Sequence, residues 1–107
     1  MFARTAMEPV VSEDPVANRE KLYHVIILND DEHTFDYVIE MLQAVFHLSA
    51  ADAMAKTMEA DRTGSSIVHT CGLAEAENKR DQVHAYGPDW RMPQSRGPVT
   101  ALVEPAA

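Results

Sequence analysis

LYHVIILNDDEHTFD, residues 22–36, decides the fold. The apolar run Val25–Leu28 ends in Asn29-Asp30-Asp31, and an amphipathic segment begins almost at once. A run that short and β-branched predicts a strand buried on both faces. The Asx cluster at its end brings carbonyl and carboxylate acceptors to a place where backbone N–H groups fall free. Such a cluster serves either as a turn with a helix cap or as an anionic site. Such a site would take an ammonium group or a metal, or carry a phosphorylatable Asp.

Outward from this stretch, Val38, Met41, Leu42, Val45 and Phe46 follow i, i+3, i+4, i+7, i+8 spacing and predict one buried helical stripe. Thr34 is the expected N-cap, with Asp36 in a first turn whose dipole favours negative charge. Ser49 with Asp52 opens a second helix, rich in Ala and Met, that ends at Gly64. Ala50, Ala53, Thr57, Ala60 and Asp61 share one face of it, small enough for close packing or for a ligand. Ser65–Cys71 alternates around Ile67 and predicts a strand. Leu73–Tyr86 predicts a third helix with Leu73, Ala76, Val83 and Tyr86 inward, stopped by Gly87-Pro88. A loop carrying Pro, Arg and Trp90 leads to a last strand, Pro98–Val103, with Pro98 at its tolerated first position. The expected fold is α+β: a small β-α-α-β-α-β sandwich, a three-stranded antiparallel sheet packed on three helices. Residues 22–107 form that domain, and 1–21, with Glu8-Pro9 and Asp14-Pro15 and no apolar periodicity, are expected to be a disordered arm.

A chain of 107 residues supports one core, and a net charge of −8 argues against nucleic acid or an anionic membrane as partner. That charge suits a cationic ligand. No apolar run approaches the roughly 20 residues of a membrane span, and no secretory signal is evident, so a cytoplasmic protein is expected. With Cys71 alone, neither an internal disulfide nor a cysteine-rich zinc cage is possible.

Among the candidate chemistries, a metal site assembled from Asp30, Asp31, Glu32 and His33 with His47, His69 or His84 lacks H-x-x-x-H or C-x-x-C spacing. A phosphoacceptor receiver needs alternating strands and helices, whereas here two helices follow the first strand back to back. His69 and Cys71 share in-strand parity, but that alone is no nucleophilic dyad. Glycine-rich phosphate loops are absent, so no cofactor is expected. What remains is a carboxylate cluster beside a small-residue helix face, which suits an α-ammonium attached to a hydrophobic side chain.

Tyr23–Asp31 with the helix Phe35–Phe46, then Gly64–Val68, Ala76-Glu77-Asn78-Lys79 and Pro98–Glu104, resembles the ClpS family, adaptors of the ATP-dependent Clp protease. The resemblance implies a non-enzymatic adaptor. It would bind the bulky hydrophobic N-terminal residue of a protein and hand that protein to the N-domain of a Clp AAA+ unfoldase. It implies that Asn29 and Asp31 hold the substrate's α-amino group and that Asp30 and His33 line the pocket mouth. Phe35, Val38, Thr57, Ala60 and Val99 would surround the first side chain, Lys79 would belong to the docking face, and the arm would serve delivery. A monomer is expected. Two positions depart from the family. Asp61 stands where the family has an amine-binding histidine, and Ala74 where it has an acidic docking residue. A carboxylate accepts from an ammonium at least as well as an imidazole does. Thr57 and Ala60 are smaller, and Phe35 larger, than the residues usual there, which leans the expected preference toward Leu, Ile and Val over Phe, Tyr and Trp. The alternative is a diverged ClpS-like protein that docks on a protease or another partner without reading N-terminal residues.

Overall fold

The computed structural model describes residues 21–107, so the expected arm, Lys21 apart, lies outside the described residues. The elements run β1 (Tyr23–Leu28), α1 (Phe35–Phe46), α2 (Ala50–Thr63), β2 (Ser65–Cys71), α3 (Leu73–His84) and β3 (Ala101–Pro105). This is the expected β-α-α-β-α-β order, and the three strands pair antiparallel with β1 in the centre, β2 and β3 on its flanks.

Among the described residues, helices cover one face of the sheet and leave the other open. Val25 and Ile27 are 0% and 1% exposed on the covered side, while His24, Ile26 and Leu28 are only half-buried. On the open side Ile26 pairs with Ile67 and Leu102, and the His24 imidazole Nδ1 lies 2.8 Å from Thr70 Oγ1. A continuous apolar run therefore does not guarantee two covers. Here cross-strand neighbours shelter the outer half of it.

Both helix starts are capped as their sequences require. Thr34 Oγ1 accepts from the Tyr37 N–H at 3.1 Å, and Ser49 Oγ accepts from the Asp52 N–H at 3.0 Å. At the far ends, His47 and Gly64 take left-handed φ values of 58° and 97°, and their N–H groups donate to Gln43 and Ala60 carbonyls. Glycine adopts that conformation without the cost of a Cβ. The buried stripe of α1 is Tyr37, Met41, Leu42, Val45 and Phe46. Tyr37 joins it, its hydroxyl donating to the Gly87 carbonyl, which lets the whole ring be buried, while half-buried Val38 packs against the same core.

Four other expectations shift. α3 ends at His84, and of its inward set only Ala76 and Val83 are buried; Leu73 and Tyr86 are 40% and 38% exposed. Tyr86 lies beyond the helix and meets Tyr37 edge-to-face at 5.5 Å. The last strand begins at Ala101, three residues later than expected, and runs to Pro105. Pro98, which cannot donate to a ladder, stays outside it. In β2 the parity breaks: Val25 pairs with His69 but Ile26 with Ile67, so Val68 is an extra residue, a β-bulge. Ser66 is buried before it, Val68 at it and Cys71 after it, and Ile67 points to the open side. Of the expected α2 face, Ala53, Thr57 and Ala60 are buried, whereas Ala50 and Asp61, at its two ends, are exposed.

Met41, fully buried, reports on this core. Met41→Ala should cost about 2–5 kcal/mol in urea denaturation, whereas Met58→Ala, on an exposed face, should change stability by less than about 0.5 kcal/mol.

Candidate functional site

Backbone hydrogen bonds at the end of β1 build a recess. The Leu28 N–H donates to the Thr100 carbonyl at 3.0 Å, and the Asn29 N–H donates to the Gly64 carbonyl at 2.9 Å. The first bond draws the segment carrying Val99 against one side of the strand end. The second draws in the C-terminus of α2, with Ala60 and Asp61, on the other. Between them lies a recess of about 60 Å³.

Its floor is apolar and buried: Ile27, Thr57, Ala60 and Val99 are 1%, 3%, 5% and 2% exposed. Thr57 behaves as an apolar wall, because its hydroxyl donates to the Ala53 carbonyl at 2.7 Å and has no second proton to give. Val38 and Leu28 line the sides, half-buried. Around the rim stand exposed Asn29, Asp30, Phe35 and Asp61, with His33 beside them. A dry floor under a rim of oxygen acceptors can hold a ligand that is apolar at one end and cationic at the other.

The Asp cluster is divided by role. Asp30 makes the turn: its Oδ1 accepts from the Glu32 N–H at 2.8 Å, and both its oxygens lie 2.8 Å from His33 Nδ1. His33 Nε2 lies 2.7 Å from the Gly97 carbonyl, so the imidazole joins the turn to the loop before β3. The turn reading therefore holds for Asp30, which also lines the recess.

A second carboxylate, Asp89, supports the site from behind. It is 1% exposed and accepts from Thr34 N–H at 2.7 Å, Thr34 Oγ1 at 2.8 Å and Arg91 N–H at 3.0 Å. Arg91 also reaches it through Nη1 at 3.3 Å and bridges onward to Glu40 at 2.7 Å. Burial works to raise the Asp89 carboxyl, but the hydrogen bonds from Thr34 and Arg91 outweigh it and hold the group below its usual value. Burial also pushes the Tyr37 hydroxyl up to about 12, against a backbone hydrogen bond from Val99, so it remains a donor to Gly87. Together these bonds pin the loop between α3 and β3 onto the start of α1. Phe35, Val38 and Val99 are placed by that anchoring.

Of the residues singled out from sequence, Asn29, Asp30, His33, Phe35, Val38, Thr57, Ala60, Asp61 and Val99 all meet at this recess. Asp31 is exposed just beyond it and is not part of its lining. Lys79 lies on α3, where its ammonium donates to the Val45 carbonyl at 2.7 Å and sits 5.9 Å from the Phe46 ring centroid. Sequence reasoning missed that Ile27 and Leu28 line the recess, and missed Asp89 altogether. For Ile27 and Leu28 the signal was present in their position before Asn29. For Asp89 it was absent, since nothing local marks a loop carboxylate as the partner of a cap 55 residues away.

Comparison with known proteins points to one family. Residues 18–93 match the family model of the ATP-dependent Clp protease adaptor protein ClpS. The ATP-dependent Clp protease adapter protein ClpS of Nautilia profundicola is 41% identical over 70% of this chain and 77% of its own length. Its counterpart in Acetivibrio thermocellus is 34% identical over 81% of this chain and 83% of its own length. The solved structure of Agrobacterium tumefaciens ClpS2 bound to L-phenylalaninamide superposes with a TM-score of 0.70 at 33% identity, covering 81% of this chain and 99% of that one.

The Asp89 anchor has a measurable signature. Its lowered value in the folded state means that its stabilisation is present above the unfolded value of about 3.9 and is lost as pH falls through the folded one. Asp89→Ala should therefore lower stability near pH 7 by roughly 2 kcal/mol and flatten the acid limb of a stability–pH curve measured by denaturant titration.

Proposed function

Because this chain belongs to the ClpS family of ATP-dependent Clp protease adaptors, we propose that its recess takes the N-terminal hydrophobic residue of a substrate protein and that its rim holds the free α-amino group. The observation that carries this reading is the pairing of a buried apolar floor with exposed Asn29 and Asp61 on one rim. L-Phenylalaninamide, the molecule bound by the Agrobacterium relative, likewise joins a free α-ammonium to an apolar side chain. Asn29 offers a neutral carbonyl oxygen to the ammonium, and Asp61 a full opposite charge. Asp31, outside the lining, acts at longer range through its charge. Ile27, Thr57, Ala60 and Val99 receive the side chain, and Phe35 and Val38 set the width of the mouth. His33 and Asp30 hold that mouth in shape.

The protein acts without bond-making of its own: it binds, then passes the bound protein to a Clp AAA+ unfoldase. Docking uses the face of α3 that carries Lys79, whose ammonium has two protons beyond the one given to Val45. Ala74, near the start of the same helix, offers no charge, so the lysine carries more of the electrostatic contribution. Small Thr57 and Ala60 leave room beside α2 for a branched side chain, which favours Leu, Ile or Val as first residue, with Phe the natural competitor.

A peptide panel varying only in residue one, each with free and acetylated amine, tests this. A Leu-headed peptide should bind, acetylation or Asp61→Ala should weaken it about tenfold or more, and binding should fade above about pH 8 as the amine loses its proton. Ala60→Leu, filling the floor, should abolish binding while the fold survives. Equal affinity for acetylated and free peptides contradicts the proposal.

A further inference from the structure

The bulge in β2 has a chemical consequence on the other side of the molecule. Without an extra residue at Val68, His69 and Cys71 would share parity with Ile67 and face the open side of the sheet. With it, His69 pairs with buried Val25 and Cys71 with Tyr23, so both side chains turn to the helix-covered face. The first turn of α3 places Glu75 there as well. His69 Nε2 and Glu75 Oε2 are 2.8 Å apart, and donor atoms of His69, Cys71 and Glu75 all lie within 4.8 Å of one another. The Phe46 ring, 5.6 Å from the imidazole, holds it from the core side.

We propose that His69 Nε2, Cys71 Sγ and a Glu75 carboxylate oxygen form a three-ligand site for a zinc-class divalent cation, with water in the fourth position. One nitrogen, one sulfur and one oxygen donor are a borderline set, which suits Zn²⁺ better than the hard cations Mg²⁺ or Ca²⁺. Bond lengths of about 2.0–2.3 Å put tetrahedral donors roughly 3.3–3.8 Å apart. From the present spacing, within 4.8 Å, binding draws the donors together by side-chain rotation, for which Glu75, 56% exposed, has room. Coordination takes the thiolate form of Cys71, its proton passing to solvent, and replaces the His69–Glu75 hydrogen bond by two bonds to the ion. The ion then ties the end of β2 to the start of α3, an N-terminus whose Gly72 makes no side-chain cap. Composition alone argues against a cysteine-rich cage; the mixed set arises only because a bulge and a helix start converge.

The full chain, stripped of metal and kept reduced with a non-thiol phosphine, is titrated with Zn²⁺ by calorimetry and with Co²⁺ by absorption. One Zn²⁺ per chain, a thiolate-to-cobalt charge-transfer band and a rise in Tm are expected. His69→Ala and Glu75→Gln, both at partly exposed positions, should each weaken binding about tenfold or more while leaving far-UV circular dichroism unchanged. Cys71→Ser should remove the charge-transfer band. Absence of saturable binding, binding that survives His69→Ala, or a cobalt spectrum without a thiolate band each overturns the proposal.

Discussion

Two backbone hydrogen bonds at the end of β1 hold the rest of the arrangement in place. Leu28 N–H to Thr100 and Asn29 N–H to Gly64 prolong the sheet's pairing by a residue on each flank, beyond the regular ladders. A central strand must satisfy its N–H groups on both sides, and here the partners are the segment before β3 and the turn after α2. The carbonyl of Gly64 is available only because the chain leaves α2 through a left-handed residue. The geometry of one helix ending thus determines how near Asp61 stands to Asn29.

Behind that strand end, stability and site geometry are coupled through Asp89. A buried carboxylate is costly unless its lone pairs are satisfied, and the donors that satisfy it come from Thr34 and Arg91. Thr34 is at once the cap of α1 and the ligand of the loop, accepting from Tyr37 while donating to Asp89. Helix start, loop and recess wall are consequently a single hydrogen-bonded unit. Charge is distributed unevenly around it: Asp30 is engaged with His33, whereas Asp61 stands exposed at the mouth.

Much of this was legible because it is local. The β-branched run before Asn29, the caps at Thr34 and Ser49, and Gly64 each follow from a few neighbouring residues, and the element order came with them. The resemblance to adaptor proteins then selected the residues that meet at the recess. What local patterns do not carry is long-range pairing. The bulge at Val68 is a matter of register against β1, and it reverses the outlook of His69 and Cys71 without any mark in the sequence around them. The start of β3 at Ala101 depends on where β1 runs out of partners, not on the apolar residues Pro98 and Val99. Tyr37 joins the core stripe because a carbonyl 50 residues away takes its hydroxyl proton. Lys79 carried the same lesson: no neighbouring residue marks it as the cation that caps the carbonyl end of α1.

No helix among the described residues is long and apolar enough to cross a membrane, and the acidic rim gives the molecule one end suited to a cationic, amphipathic ligand. The most direct measurement is a backbone amide chemical-shift map of the ¹⁵N-labelled protein titrated with a Leu-headed peptide. Saturating shifts confined to Leu28–His33, Thr57–Gly64 and Gly97–Thr100, the three segments that meet at the end of β1, are expected. Shifts centred instead on α3 or on the open face of the sheet, with these segments unmoved, would contradict the proposed binding site.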